Sequence, residues 1–288
     1  MIKVYPRKIL DYSFGNIFSA LTFTLNPFLD EKKIIDDIQE IWPDENVIVG
    51  LSVRTIFDGV LSQKAYKKGS EVIMSGITIP DMVKIVEAHG LKVVPVDLDM
   101  DLLQVNEEDL SSAITDETVM VVAAHLFGSK MNMDPIYSAL KERPDIFIIE
   151  DCAQAFDGVR NYTKQSKTDL SMFSFGSIKS VTTLGCAIGF SKDPGFQKIL
   201  RAGFFDYERV PNGQFMYKVL KYIMMKVLSM PFIYGLFIGF CRLMKIDYDK
   251  AIISTVRMVK NSDLLESIRK IPPASQLRYL LHRLSNVK

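Results

Sequence analysis

The sequence predicts an α/β fold: a mainly parallel sheet with helices on both faces. Three observations lead there. Short strand-like runs (Val47–Gly50, Val93–Val96, Val119–Ala124, Ile146–Ile149) alternate with helix-length stretches, the order that builds parallel sheets. Runs such as Ile146–Ile149 are apolar throughout, the pattern of strands covered on both faces. The Ile146 run then ends on Glu150-Asp151, which sets a carboxylate at the carboxyl end of a strand, where open α/β sheets hold their ligands.

A chain of 288 residues is long enough to bury a large core in one α/β domain, or in one and a half. Its 35 basic and 34 acidic residues nearly balance, which gives no support to nucleic-acid binding. The three cysteines (Cys152, Cys186, Cys241) have neither CxxC spacing nor a histidine partner. They read as reduced thiols of a cytoplasmic protein rather than a metal site or a disulfide framework. Asp11 lies between the early lysines and the apolar patch Ile17–Leu25, and no small-residue cleavage site is clear, so a secretory signal is not expected.

In chain order, residues 1–29 read as an irregular, aromatic-rich arm packed on the body. Asp30-Glu31 opens an acidic first turn for a helix to about Ile41, ended by Pro43. Trp42, the single tryptophan, is expected in the core or at an interface. Val47–Gly50 is a strand, Ser52-Val53-Arg54-Thr55 a turn, and a helix follows to about Lys67. A strand, a tight turn and a helix N-terminus form an anion site, because free backbone N–H groups point at the ligand; an ordinary strand–helix connection has the same look. Glu71–Met74 leads into the turn Ser75–Pro80, and Asp81–Gly90 reads as a helix closed by Gly90. After the Val93–Val96 strand come a short helix at Leu110–Ile114, the Val119–Ala124 strand, and His125. A lone histidine after a strand is more often a hydrogen-bonded structural residue than a catalytic one. Asp134–Glu142 is a helix, and Pro144 resets the chain into the Ile146 strand. Leu170–Phe175, Ala187–Phe190 and Asp193–Gly203 read as strand, strand and helix.

Leu170–Phe175 carries Ser174, and Lys179 follows in a loop rich in Gly, Ser and Thr. A carboxylate, a serine and a lysine at strand ends are what a pyridoxal phosphate (PLP) site needs. The lysine forms a Schiff base, the carboxylate keeps the pyridine nitrogen protonated, and hydroxyls bind the phosphate. From the local pattern alone, a loop lysine is more often a solvated charge.

The stretch Glu150-Asp151-Cys152-Ala153-Gln154-Ala155, Gly158, Asp169, Phe173-Ser174-Phe175 and Lys179 resembles the signature of the DegT/DnrJ/EryC1/StrS family of sugar aminotransferases. The resemblance covers Val47 to Phe190 well. It implies the PLP-dependent transferase (aspartate aminotransferase) fold, with a seven-stranded-type sheet over 46–205, a preceding arm and helix at 1–45, and a helical, apolar-rich extension at 206–288. It implies an enzyme moving an amino group from an amino acid, with glutamate the expected donor, onto a keto-sugar nucleotide in surface-glycan or polysaccharide synthesis. By the same resemblance Lys179 holds PLP and moves the proton, Asp151 pairs with the pyridinium, and Gln154 contacts the ring hydroxyl side. Ser174, Ser52 and the amides of Val53 and Arg54 bind phosphate, and Thr78 lies in the turn beside the ring. A homodimer with the active site at its interface is implied as well.

Departures from the family pattern are specific. Val53 stands where the family has Gly, adding a Cβ at a close approach. Ile79 stands where an aromatic stacks on the ring, worth about 0.5–1.5 kcal/mol. Cys186 replaces one glycine of a Gly-Gly pair and reads as a small filler. Family members usually continue into a small domain that closes the site, so 206–288 is expected to be an incomplete version of it. The family's phosphate contact from a neighbouring subunit has no clear counterpart.

Val227–Cys241 carries no charge, is shorter than the roughly 20 apolar residues of a spanning helix, and is interrupted by Pro231, Gly235 and Gly239. Lys218, Lys221, Lys226, Arg242 and Lys245 flank it. The readings are a buried or dimer-facing helix pair, a pair lying on an anionic membrane on the cytoplasmic face, and, least favoured, a span. Two other function classes stay open. One is a non-catalytic relative acting as a scaffold. The other is a PLP enzyme of different chemistry such as a sugar dehydratase, a branch in which some relatives carry histidine for the lysine and against which Lys179 argues.

Overall fold

Six strands of the central sheet run one way and a single strand runs against them. The computed structural model describes residues 5–6, 10–42, 46–159, 167–191, 193–247 and 263–287. The sheet has seven strands in the order β1 (Asn46–Gly50), β9 (Ala187–Ser191), β8 (Leu170–Ser174), β7 (Phe147–Asp151), β6 (Thr118–Ala124), β2 (Glu71–Ser75) and β3 (Lys92–Val96). The pairs from β8 through β7, β6 and β2 to β3 are parallel. Strand β9 is antiparallel to both β8 and β1. The expected mainly parallel sheet is therefore present. As a result, the carboxyl ends of β1, β2, β6, β7 and β8 and the start of β9 share one edge. Short antiparallel β4 (Leu98–Asp99) and β5 (Gln104–Val105), and parallel β10 (Glu208–Arg209) and β11 (Lys270–Ile271), form separate ladders.

Helices cover both faces. On one, α3 (Val53–Lys64), α4 (Pro80–Ala88) and α7 (Pro194–Gly203) bury Ile56, Phe57, Met82, Ile85 and Leu200 against the sheet. On the other, α2 (Glu31–Ile41) sets Ile34, Ile38 and Trp42 against Phe173, Ile188 and Phe190, with α5 (Glu107–Ala113) and α6 (Asp134–Ala139) further along. Each such large apolar side chain contributes about 1.5–3 kcal/mol by leaving water. Trp42 is buried edge-on to Phe190, centroids 5.1 Å apart.

Local chemistry sets the ends. Asp30 caps α2 by accepting from the Lys33 N–H at 3.1 Å, and Pro43 lies outside the described residues. Helix α3 ends at Lys64, three residues short of the expected Lys67, with Ala65 in a left-handed conformation (φ 45°) as its cap. Helix α4 closes at Gly90, φ +74°, as the sequence indicates. Helix α6 ends at Ala139, short of the expected Glu142.

The arm reading needs correction. Phe14–Leu25 is a regular helix, α1, opened by a capping box between Ser13 and Asn16. Asparagine at that reciprocal position is not the usual Glu or Gln, so the start signal was weak. Its Ile17, Ala20 and Thr24 are buried, and nearby Tyr12 Oη donates to the Tyr222 carbonyl at 2.7 Å, docking this region on α8 (Asn212–Leu228). Helix α9 (Pro231–Leu243) follows α8 at an 88° bend. No single helix among the described residues is long and apolar enough to cross a membrane. Helices α10 (Leu264–Ile268) and α11 (Ala274–Leu284) complete the described chain.

Candidate active site

The common strand edge opens into a cavity of about 880 Å³. Its lining includes every residue singled out from sequence: Ser52, Val53 and Arg54 after β1, Thr78 after β2, Asp151 and Gln154 at and after β7, and Ser174 and Lys179 at and after β8. Segments from 46 to 186 thus converge because parallel strands deliver their carboxyl ends side by side.

Asp151 ends β7. Its Oδ1 accepts from the Ala153 N–H at 3.0 Å, and no donor to Oδ2 occurs among the described residues. Burial raises the Asp151 carboxyl above its ordinary pKa, while the Ala153 hydrogen bond and the charge of Lys179 pull it back down. Burial lowers the Lys179 ammonium, and Asp151 opposes that shift. Each group therefore feels the charge of the other from a partly desolvated position in the same cavity. Lys179 is fixed by a turn in which its N–H donates to the Gly176 carbonyl at 3.0 Å.

Beneath this pair, His125 is fully engaged. Its Nδ1 accepts from the Met131 N–H at 2.8 Å, so Nε2 carries the proton it donates to Glu150 at 3.0 Å. The His125 N–H holds the Asp151 carbonyl at 3.0 Å. The imidazole is a positioning group, in keeping with the structural reading. His125, Glu150 and Cys152 bring ligand-type atoms within 4.8 Å of one another. Burial, however, raises the Cys152 thiol well above its usual range, and both imidazole nitrogens are committed, so the trio reads as a hydrogen-bonded floor. Cys186 is buried too, its thiol pushed up to about 12. That suits a filler.

At the other end, Ser52 caps α3, its Oγ accepting from the Thr55 N–H at 3.2 Å. The N–H groups of Val53 and Arg54, in the first turn, have no intrahelical acceptor. Val53 is not among the residues with positive φ, so this turn does not require glycine, and its side chain packs into the core. The Arg54 guanidinium pairs with Asp81, so its backbone rather than its charge is the group open to a ligand. Ser174 Oγ accepts from the Gly176 N–H at 3.4 Å. Gln154 Oε1 accepts from the Phe127 N–H at 3.4 Å, which leaves its amide nitrogen free to turn toward the cavity. Ile79 is 51 % exposed at the rim and stacks on nothing.

These groups fit PLP. A carboxylate oxygen without a donor would hold the pyridine nitrogen, a desolvated lysine would take the aldehyde carbon, and a helix N-terminus with Ser174 would take the phosphate.

The far wall was not read from sequence. Gln214, Phe215 and Lys218 of α8, Glu266, Ser267, Ile268 and Lys270 around α10, and Gln276 of α11 line the same cavity. Lys218 had been grouped with the basic flanks of the apolar segment. The available signal was its spacing: it lies three residues after Phe215 and four before Tyr222, both buried, hence on the inward face. Two contacts hold the 266–270 wall to α3. Thr55 Oγ1 donates to the Ile268 carbonyl at 2.9 Å, and Arg269 forks onto buried Asp58 at 2.9 and 3.1 Å.

The model of the DegT/DnrJ/EryC1/StrS aminotransferase family matches residues 58–220, more than half of the chain. The chain belongs to this family. Among curated relatives, the GDP-perosamine synthase of Escherichia coli O157:H7 is 35% identical over 118 residues, which cover 40% of this chain and 32% of that protein. Among solved structures, a GDP-4-keto-6-deoxymannose-3-dehydratase with a trapped PLP-glutamate geminal diamine superposes with a TM-score of 0.64 at 16% identity, over 99% of this chain and 68% of that one. A Streptococcus pneumoniae putative sugar aminotransferase in its PLP form gives 0.60 at 18% identity, over 70% and 57%. These structural likenesses establish the family fold. The chain spans about a third of the curated relative's length in the matched region, and 68% and 57% of these two solved chains.

Proposed function

We propose that this family member is a PLP-dependent aminotransferase acting on a keto-sugar nucleotide, with glutamate as donor and surface-glycan synthesis as its setting. The observation that carries the reading is that Asp151 and Lys179, both half-buried and acting on each other electrostatically, line one cavity beside the open N-terminus of α3.

PLP supplies an electron sink for the carbanion formed when an amino acid loses its α-proton. The protein residues do the rest. Asp151 Oδ2 would keep the pyridine nitrogen of bound PLP protonated by its charge. Lys179 Nζ, its pKa lowered by burial, has more of the neutral form needed to attack a carbonyl and to accept a proton. The same Nζ would be placed to return that proton, so one group could serve as both base and acid. The amides of Val53 and Arg54 with Ser52 and Ser174 bind the anionic end. Gln154 would contact the ring hydroxyl side, and Thr78 and Ile79 line the same cavity.

The test is chemical. The protein is incubated with PLP, reduced with borohydride, digested and mapped. A mass increment on Lys179, absent from Lys179→Ala, supports the reading, as does spectral conversion of the bound cofactor by glutamate. A label at other lysines only, or none, would overturn it.

For surroundings we infer contact with an anionic membrane through α8 and α9. Phe232, Leu236, Phe240 and Leu243 form an exposed stripe on α9, Leu243 at 80 %, and Tyr217, Leu220, Met224 and Val227 continue it on α8. Residues 209–246 contain no acidic side chain, and Arg242 and Lys245 are exposed beside the stripe. That pattern matches interfacial helices on anionic lipid. Flotation with phosphatidylserine vesicles at low salt, lost in Phe232→Glu/Leu236→Glu, is expected. No flotation, with sedimentation showing a dimer that the same variant breaks, would give the stripe to the homodimer that the family resemblance implies.

A further inference from the structure

Three lysines line the cavity: Lys179, Lys270, which pairs with Glu208 at 3.4 Å, and Lys218, which has no counter-charge among the described residues. Lys218 comes from α8, outside the sheet, and lines the cavity with Lys179. Its Nζ lies 3.7 Å from the point where a Cβ on Gly185 would stand, and Gln276 Nε2 lies 2.5 Å from the same point. Gly185 has φ +149° and no side chain, so the two nitrogens converge on space that any other residue would fill.

That space adjoins the start of α3. The Cys186 N–H donates to the Leu51 carbonyl at 2.9 Å, and Leu51 directly precedes the Ser52 cap. Gly50 pairs with Ala187 and Ser174 pairs with Ala187 across the same strand. Lys218, Gln276, Ser174 and the first turn of α3 therefore surround one corner.

The charges around Lys218 do not neutralise it. Among the described residues no carboxylate lies within ion-pair distance of its Nζ. The charged neighbour on its own helix is Lys221, of like sign, and the Cys186 thiol is held protonated by burial. Asp81 is taken by Arg54, and Glu266 is exposed at the rim. A desolvated, unpaired ammonium is costly to keep. Placed beside free helix N–H groups it makes an anion site of combined charge and dipole.

We propose that Lys218, assisted by Gln276, binds a phosphate group at this corner, so that one chain supplies both the amide cradle and the cation. The identity of the phosphate as that of PLP rests on the functional reading above. A nucleoside diphosphate is the other source of the same chemistry.

The experiment compares wild type, Lys218→Met and Lys218→Arg in three titrations. With PLP against pyridoxal, which lacks the phosphate, Lys218→Met is expected to weaken PLP at least tenfold and pyridoxal less than twofold, while Lys218→Arg stays within threefold of wild type for both. With GDP, a loss confined to the nucleotide would assign the phosphate to the sugar nucleotide and uphold the site. With inorganic phosphate alone, wild type is expected to melt higher in the anion's presence and Lys218→Met not to respond. Equal losses for PLP and pyridoxal, or no loss in any titration, would overturn the proposal. Should wild type bind neither PLP nor pyridoxal, the aminotransferase reading falls, and the phosphate melt alone decides the site: a rise that Lys218→Met abolishes upholds it, and no rise removes it.

Discussion

Replacing Asp58 with Asn should destabilise the protein by about 3 kcal/mol at neutral pH and by clearly less in acid. Asp58 is wholly buried in α3 and receives four hydrogen bonds. His89 Nε2 and Arg269 Nη2 reach Oδ1 at 2.9 and 3.1 Å, while Tyr207 Oη and Arg269 Nε reach Oδ2 at 2.8 and 2.9 Å. Burial alone would raise this carboxyl. The bonds from His89, Arg269 and Tyr207, with the Arg269 charge, outweigh that and hold it at about 2. Measured against an unfolded value near 3.8, the depression is worth roughly 2 kcal/mol. Because the folded pKa is the lower one, that stabilisation is fully present well above pH 4 and is lost as pH falls toward 2, about half of it by pH 3. Asparagine removes the charge and also turns an NH₂ toward two donors, which adds about 1 kcal/mol or more. Urea unfolding of both proteins at pH 7, 5 and 3 measures the gap. A gap below about 0.5 kcal/mol at pH 7, or one that stays constant down to pH 3, would refute the reasoning. Since Arg269 carries the 266–270 wall, the same variant should also bind PLP more weakly.

Gly185→Ala should lose PLP binding and about 2 kcal/mol or more of stability, because φ +149° disfavours any Cβ and that Cβ would meet Gln276 Nε2 at 2.5 Å; calorimetry with a PLP titration reads both, and a neutral result would show that the corner yields freely. Cys152 and Cys186, buried and with raised pKa values, should stay unreactive toward a thiol reagent at pH 8 until denaturant is added. Fast labelling of either in the native protein would contradict the packing. The Trp42 indole N–H has no partner among the described residues, so its emission should be blue-shifted when folded, and Trp42→Phe should cost under about 2 kcal/mol, less than a truncation to Ala; emission spectra and melts check this.

Much of the sheet was legible because buried parallel strands are written locally, as uninterrupted apolar runs ended by polar or glycine residues. Asp151, Ser174 and Lys179 end or follow such runs, but their expected roles came from the family resemblance, because a loop lysine by itself reads as a solvated charge. Strand β9 looks like its neighbours, and its reversed direction depends on the tight 175–187 turn, where Val181, Leu184 and Cys186 all adopt positive φ although none is glycine. Sequence pattern gives no warning of strain in such residues. Helix α1 escaped notice because its polar side is thin: Phe14, Phe18 and Leu25 are exposed, which blurs the periodicity that marks a surface helix. Lys218 was misassigned because a lysine near an apolar run looks like a solvated flank. Only its phase with Phe215 and Tyr222 distinguishes the two cases, and the far wall as a whole depends on contacts between segments remote in sequence.

That remoteness also governs timing. The hydrogen bond from Thr55 to Ile268 joins residues 213 apart, and Asp58 and Arg269 are 211 apart. At roughly 5–20 residues per second of synthesis, α3 leaves the ribosome about 10–40 s before its partners. During the first part of that interval β1 also lacks β9, its only neighbour in the sheet among the described strands, and remains an unpaired edge open to wrong pairing. A nascent chain of this design should therefore depend on chaperone protection until α10 and α11 have emerged, and should acquire its ligand only once they are in place.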